Sequence, residues 1–279
     1  MSHHETTVQS YSEKGSLSYE DPANKNFLYG DITVRFIKNI IFPPKDRVVL
    51  DLGCGTGFVF DETYQLFHDR GIRGIGVEPA DGMRQIAMTK YRDDHSYSFL
   101  AGSFEHIPLP DRSVDHIVST LALHWVESLS VAAAEMRRVL NPGGNADLLM
   151  IARDDGARFK KAIVAALRRH LTFGQIMATA TLVQRVTPAQ VKEAFAPFVG
   201  SFDVDVHRFD EVVYGRFADH MKWWQARSSP VIAEVRDKKQ FMQDLREELE
   251  AIRIDRGIPF DASYLWIKIT ATESGMSSL

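Results

Sequence analysis

The feature that most constrains this sequence is an apolar run that ends in an acid and opens into a glycine-rich turn. It spans residues 48–57 and reads Val-Val-Leu-Asp-Leu-Gly-Cys-Gly-Thr-Gly. Residues 48–52 are typical of a buried strand, and glycines at alternate positions remove the side chains that would keep the backbone away from a ligand. Aromatic residues follow at helical spacing: Phe58, Phe60, Tyr64 and Phe67. The order strand, glycine loop, helix predicts a Rossmann-like unit that binds a nucleotide-like cofactor.

Two acids restrict which cofactor that is. Asp51 lies at the end of the first strand, where a carboxylate would repel the pyrophosphate of a dinucleotide and suits a cationic group instead. Glu78 closes the run 74–79, where a second parallel strand should end and where a carboxylate can bind ribose hydroxyls. An adenosine that bears an amino acid matches both acids. These residues therefore point to S-adenosylmethionine, with S-adenosylhomocysteine as its product.

Four segments in order resemble the motifs of class I S-adenosylmethionine-dependent methyltransferases that act on small molecules. Residues 50–57 and 77–80 are similar to the first two motifs, residues 102–115 to the stretch that covers the adenine, and residues 139–144 to the turn before the fifth strand. Ser103 stands where the family more often has Asp. The resemblance implies an α/β, Rossmann-like class I methyltransferase core, with a seven-stranded, mostly parallel sheet flanked by helices, a helical lid insertion and an N-terminal helical segment.

The residues and the resemblance together predict the cofactor contacts. They are Asp51, Gly53, Cys54, Gly55, Gly57, Glu78, Pro79, Met83, Ser103, Phe104, Glu105, Thr120, Leu121 and Tyr19. Cys54 is the single cysteine of the chain, which excludes an intrachain disulfide and fits a reducing cytoplasm. Because no base is evident beside it, we expect a small packing residue there rather than a nucleophile.

Hydrophobic periodicity predicts alternating strands and helices within a single domain. The predicted strands are 47–52, 73–78, 97–101, 114–119, 145–151, 202–207 and 264–270. The predicted helices after the glycine loop include 80–91, 131–139, 159–172, 188–198, 215–228 and 231–254. We expect an N-terminal helical cap at 1–46, a cofactor-binding core at 47–152, an acceptor-side region with a helical lid at 153–263, and a closing strand and tail at 264–279.

The acceptor side is predicted from the residues that follow the fourth strand and from the lid. A sulfonium is already activated, so methyl transfer needs placement and exclusion of water more than acid catalysis. His124 is the candidate catalytic residue, a general base for a hydroxyl or amine; alternatively it only binds cofactor or backbone. The candidate substrate-binding residues are Tyr11, Trp125, Trp223, Trp224 and Arg227. Arg227 could bind an acceptor carboxylate, although lid packing or a surface ion pair would also explain this set.

Three acceptor chemistries stay open at this point. The run 121–126 resembles enzymes that methylate small or acyl carboxylic acids, and a carboxylate needs no base. A hydroxyl or amine of a secondary metabolite would use His124. An alkene carbon, as in terpenoid C-methyltransferases, would need aromatic faces around a carbocation. The sequence predicts methylation of a small molecule without choosing O, N or C.

Charge and composition indicate which kinds of partner this chain is expected to have. The net charge of −4 and a pI near 6.2 give no basic footprint, which disfavours nucleic acid. No apolar run approaches the ~20 residues of a membrane span, so we expect a cytoplasmic protein with no membrane partner. The charged helix 231–254 could mediate a homo-oligomer, although a solvated helix that braces the lid would explain its charge equally well. No Asp/Asn cluster follows the fourth strand, so we expect no metal. Two alternatives remain, a non-catalytic S-adenosylmethionine-binding protein and an NAD-dependent oxidoreductase, and Asp51 argues against the second.

Overall fold

The computed structural model describes residues 27–180, 187–196, 202–225 and 229–272. Its strands are β1 Val48–Leu52, β2 Arg73–Val77, β3 Tyr97–Leu100, β4 Val114–Thr120, β5 Leu140–Ile151, β6 Phe202–Gly215 and β7 Ile258–Ala271. Its α-helices, within those ranges, are α1 Tyr29–Asn39, α2 Phe58–Arg70, α3 Asp81–Lys90, α4 Leu129–Val139, α5 Ala157–Leu167, α6 Phe173–Ala180, α7 Pro188–Phe195, α8 Phe217–Gln225, α9 Ser229–Glu234 and α10 Lys238–Ala251.

The strands form one seven-stranded sheet in the order β3-β2-β1-β4-β5-β7-β6. Strands β1 to β5 are parallel to their neighbours, whereas β7 runs antiparallel between β5 and β6. The predicted fold class is therefore confirmed. The strand order reverses between β1 and β4, and ligands of such sheets bind at the carboxyl ends of the strands at that point.

Apolar side chains alternate along the central strands and fill two core clusters. Val49 belongs to one cluster and its neighbour Leu50 to the other. Because successive side chains of a strand point to opposite faces, the two clusters cover opposite faces of the sheet. Burial on both faces explains why the central strands are near-continuous apolar runs in the sequence.

The last two strands are longer than predicted. Strand β6 was expected at 202–207 and β7 at 264–270, yet they pair from Phe202–Ala271 to Gly215–Ile258. Strand β5 pairs with β7 only as far as Ile151–Tyr264, so the end of the β6–β7 ribbon extends past the carboxyl end of β5. The expected boundary at 263/264 is wrong because it cuts through β7. Charged residues on β6 and a proline in β7 interrupt the hydrophobic pattern, so the pattern did not predict the full length of these two strands.

The lid helices also differ from the prediction. The expected helix 231–254 is two helices, because the Asp237 side chain accepts a hydrogen bond from the Gln240 N–H (2.9 Å) and starts α10 afresh. Helix α8 begins at Phe217 rather than 215, since Gly215 still belongs to β6. The expected helix 159–172 ends at Leu167, and the separate helix α6 that follows was not predicted.

The N-terminal cap is described only through α1. Its buried Phe36 packs edge-on against Trp266 of β7, with ring centroids 5.0 Å apart, and the Tyr29 hydroxyl donates to the Asp155 carboxylate. These contacts fix α1 to the β7 side of the sheet. Tyr11 and Tyr19 lie outside the described residues. None of the helices in the described ranges is both long and apolar enough to cross a membrane.

Candidate cofactor and acceptor site

The glycine loop leaves β1 in a backbone conformation that favours glycine. Gly53, Gly55 and Gly57 have φ angles of 70°, 54° and 87°, in the left-handed region. The Gly53 N–H donates to the Val77 carbonyl (2.8 Å), which ties the loop to β2. A Cβ at Gly53 would lie 2.3 Å from the Cβ of Ala122. The loop therefore packs directly against the segment that follows β4.

Asp51 is a buried acid without a described hydrogen-bond donor. It is 1 % exposed, and neither carboxylate oxygen has a partner among the residues described. Burial raises the pKa of Asp51 well above its usual value, and the nearby charge of Glu78 raises it further. A carboxylate in this position is stabilised by any donor or cation that a ligand brings.

Glu78 fixes the glycine loop to the turn after β2. Its Oε2 accepts from the Gly55 N–H (3.0 Å) and its Oε1 from the Ala80 N–H (2.8 Å). Burial raises the pKa of Glu78, and these two hydrogen bonds together with the Arg84 charge oppose the rise. Each oxygen keeps a second lone pair for a ligand. Arg84 also donates to the Glu78 carbonyl (2.9 Å); sequence reasoning missed it, although it lies in the first turn of α3.

Cys54 is a buried thiol inside the loop. Burial raises its pKa well above the usual value, and the charges of Asp51 and Glu78 act in the same direction. The protonated thiol is therefore favoured. A Cβ on Gly76 would lie 2.7 Å from its Sγ, so the thiol fills the space beside β2.

Of the residues predicted on the adenine side, two approach the glycine loop and a third holds another segment of the chain. Phe104 and Met83 are buried, and both approach the loop: a Cβ at Gly53 would lie 3.6 Å from the Phe104 ring, and one at Gly55 would lie 3.5 Å from the Met83 methyl. Glu105 instead accepts from the Glu127 N–H (2.7 Å) and so holds the start of α4.

Ser103 and Pro79 flank these surfaces. The Ser103 hydroxyl accepts from the Glu105 N–H (3.2 Å), and the Ser103 backbone pairs with His106 in an isolated bridge. Pro79 is half-buried just before the N-cap of α3. Ser103 thus shapes the loop after β3 through its contacts with the backbone of Glu105 and His106.

The segment after β4 carries a strained residue. Thr120 ends β4, and the next residue, Leu121, has φ 55°, which a branched side chain rarely adopts. The Leu121 N–H donates to the Leu149 carbonyl of β5 (2.8 Å), which holds this turn in place. A short 3-10 helix follows, in which His124 is buried and its ring lies 5.1 Å from that of Trp125. Strain of this kind is concentrated at ligand sites.

The structure places the two predicted lid tryptophans in the core. Trp223 packs against Phe260 with centroids 5.3 Å apart, and Trp224 lies 6.2 Å from Phe241. Both are under a tenth exposed, so their part in acceptor binding stays a prediction. Arg227 lies outside the described residues. Within the described ranges, no cluster of three or more His, Cys, Asp or Glu side chains could hold a metal ion.

One family model and several curated proteins match part of this chain. Residues 50–146 match the family model described as "Methyltransferase domain". The malonyl-[acyl-carrier protein] O-methyltransferase of Yersinia pestis is 44 % identical over 97 residues, 35 % of this chain and 34 % of that protein. The enzyme of the same name from Dechloromonas aromatica is 26 % identical over 79 % of each chain. The first curated relatives are thus matched over about a third to less than half of their length.

Solved structures share the fold. A putative methyltransferase from Bacillus halodurans superposes with a TM-score of 0.58 over 86 % of this chain and 99 % of that one, at 15 % identity. Phosphoethanolamine N-methyltransferase 2 of Haemonchus contortus, solved with S-adenosyl-L-methionine, gives a TM-score of 0.63 over 98 % of this chain and 60 % of that one, at 15 % identity. Residues 50–146 of this chain are therefore a methyltransferase domain within a Rossmann-like fold.

Proposed function

We propose that this protein transfers a methyl group from S-adenosylmethionine to a small-molecule acceptor. The observation that carries the proposal is Asp51: a fully buried carboxylate without a described donor, at the reversal of the strand order and at the base of a glycine loop. Leaving such a group unpaired costs stability, and the ammonium group of an amino acid supplies the missing donors.

The remaining residues fit the same cofactor. The free lone pairs of Glu78 suit ribose hydroxyls, Phe104 and Met83 offer apolar surface for an adenine, and Gly53 leaves the backbone uncovered. When bound, this cofactor supplies a methyl group on a sulfonium that needs no further activation. The chain has then to orient the acceptor and exclude water, and we assign these tasks to the lid helices and to the segment after β4.

For the acceptor atom, a carboxylate oxygen has the strongest support. The run 121–126 resembles enzymes that methylate carboxylic acids, and the Dechloromonas relative bears the name of an O-methyltransferase of a malonyl group. With such an acceptor, His124 orients the reacting group and removes no proton. His124→Ala should then lower kcat by less than about tenfold. A hydroxyl or amine acceptor, for which His124 is the base, would instead lose about 10²- to 10⁴-fold.

Isothermal titration calorimetry with S-adenosylhomocysteine and with NAD tests the cofactor. We expect binding of S-adenosylhomocysteine alone. Asp51→Asn should weaken it by about 10- to 100-fold, since a hydrogen bond to a charged group contributes about 1.5 to 3 kcal/mol. Asp93→Asn is the matched control, because Asp93 is an exposed acid on the loop before β3. Binding of NAD without binding of S-adenosylhomocysteine would favour the oxidoreductase instead.

A further inference from the structure

His220 on α8 is a buried histidine whose tautomer is fixed by one contact. It is 0 % exposed, and its Nε2 lies 2.9 Å from the Ile258 carbonyl oxygen. A carbonyl only accepts, so Nε2 carries the proton. Burial lowers the pKa of His220, which keeps the imidazole neutral. The other nitrogen, Nδ1, therefore presents a lone pair, and no donor among the described residues reaches it.

The surroundings of the His220 imidazole are aromatic. The rings of Phe159 and Phe260 lie 5.1 Å and 6.4 Å from the imidazole, and the ring of Phe27 meets it edge-on at 5.2 Å. Phe159 and Phe260 are at most 1 % exposed, whereas Phe27 is half-buried. A buried acceptor of this kind in an apolar setting costs stability unless a water or a ligand supplies a donor.

The position of this cluster fits the acceptor side of the molecule. Helix α8 follows the end of the β6–β7 ribbon that extends past the carboxyl end of β5, and Phe159 belongs to α5, which follows β5. The glycine loop and the segment after β4 lie at the same edge of the sheet, because carboxyl ends of parallel strands share one edge. The His220 cluster and the proposed cofactor residues therefore lie at the same edge of the sheet, the cluster beside β5 and β7 and the cofactor residues beside β1 and β4.

We propose that His220 binds the body of the methyl acceptor. Its Nδ1 accepts a hydrogen bond from a hydroxyl or N–H group, while an aromatic or alkyl portion of the acceptor takes the place of the Phe27 ring against Phe159 and Phe260. A lone pair repels a carboxylate, so the group recognised here is distinct from a carboxyl that receives the methyl group. This inference rests on the proposed methyl transfer.

The test uses 4-methylphenol and its methyl ether, 4-methylanisole, as probes of the full chain with and without S-adenosylhomocysteine. The two differ in the single O–H donor. We expect 4-methylphenol to bind about 3- to 10-fold more tightly, as one net hydrogen bond allows, and to shift the ¹⁵N NMR signal of His220 Nδ1 upfield. Equal binding of the two probes, or no shift with either, overturns the proposal. If the full chain does not bind S-adenosylhomocysteine, the proposed methyl transfer itself is wrong, whatever the result with the two probes.

Two variants separate ligand binding from a structural role. His220→Asn keeps an acceptor near the Nδ1 position and loses the bond to Ile258, whereas His220→Gln keeps a donor for Ile258 and loses the Nδ1 acceptor. We expect the preference for 4-methylphenol to persist in His220→Asn and to disappear in His220→Gln. If both variants keep the preference, or if His220→Gln keeps it and His220→Asn loses it, Nδ1 does not bind the hydroxyl. Melting temperatures of both variants identify any loss of folding.

Discussion

At the scale of single residues, Asp51 has opposing effects on stability and on ligand binding. Its folded-state pKa is raised by burial, so the stability of the free protein is greatest below the unfolded pKa of the acid and falls as pH rises through the folded pKa. A carboxylate kept at this cost is typical of a binding site.

Asp51→Asn should therefore stabilise the free protein at pH 7.5 by about 1 kcal/mol, because an amide requires neither an unpaired buried charge nor the uptake of a proton at that pH. The gain should shrink toward pH 4, where the wild-type acid is protonated. Urea unfolding at several pH values without ligand measures it, with Asp93→Asn as the control. Destabilisation by Asp51→Asn at pH 7.5 would show that the native carboxylate is already well paired.

His116 is the centre of a second buried charged group, at the opposite end of the strands from the glycine loop. Its ring nitrogens lie 3.1 Å from Asp46 Oδ2 and 2.9 Å from Asp147 Oδ2, and the Trp266 indole donates to Asp147 Oδ1 (2.7 Å). Burial lowers the pKa of His116, but hydrogen bonds to Asp147 and Asp46 outweigh it, and the pKa is raised. The imidazolium thus joins β4 to β5 and to the loop before β1.

His116→Leu should cost about 3 to 5 kcal/mol near pH 6, because it leaves two buried carboxylates without their cation. A raised histidine pKa gives stability that is fully present below about pH 6.5 and is lost as pH rises through the folded pKa. The difference between wild type and variant should therefore shrink toward pH 9. Urea unfolding across this range tests it, with the exposed His95→Leu as control; a difference that grows with pH contradicts the assignment.

At the scale of elements, α1 depends on one buried contact with the loop after β5. The Tyr29 hydroxyl donates to Asp155, whose Oδ1 also accepts from the Ser263 N–H of β7 (3.1 Å). Asp155 is 3 % exposed, so its hydrogen bonds are shielded from water. The N-terminal helix is thereby linked to the edge of the sheet that carries the site.

Tyr29→Phe should loosen α1 selectively. Loss of a hydrogen bond to a buried carboxylate costs about 1.5 to 3 kcal/mol, so amide hydrogen exchange should accelerate by about tenfold or more in Tyr29–Asn39 and stay unchanged in β1 and β4. Tyr214→Phe is the matched control, since that hydroxyl makes no hydrogen bond within the described chain. Uniform acceleration across the sheet would show that α1 unfolds only with the whole domain.

Which elements the sequence could predict follows from how locally each is determined. Strands β1 to β4 were predicted within one residue at either end, because buried parallel strands are apolar runs with turn residues beside them. Strand β5 begins at Leu140, five residues before the prediction, and the turn Asn141–Gly144 lies inside it. The length of the β6–β7 ribbon depends on the pairing of its two strands, and the break at Asp237 depends on a helix cap. Hydrophobic periodicity predicts neither of these features.

The candidate site also contains residues that the local sequence could predict and residues that it could not. The glycine loop, Asp51 and Glu78 are neighbours of strand ends and could be found from spacing alone. The pairs Tyr29–Asp155 and His220–Ile258 join residues 126 and 38 positions apart, and no local pattern marks them. The roles of His124, Trp125, Trp223 and Trp224 stay predictions, because they depend on how an acceptor is bound.

At the scale of the whole molecule, the parts lie on one edge of the sheet. The residues of the proposed cofactor site lie near the carboxyl ends of β1 and β4, and helix α8 follows the ribbon beside β5. A methyltransferase domain needs this arrangement, since a sulfonium and its acceptor must meet in a site closed to water.

The most direct measurement is to incubate the protein with trideuteromethyl S-adenosylmethionine and a small-molecule extract of its source cells, and to search for labelled products by mass spectrometry. We predict a product heavier than its acceptor by one trideuteromethyl group in place of hydrogen, absent with boiled protein and strongly reduced with Asp51→Asn. If no extract yields a labelled product while S-adenosylhomocysteine still binds, the protein is a cofactor-binding protein and the proposed methyl transfer is wrong.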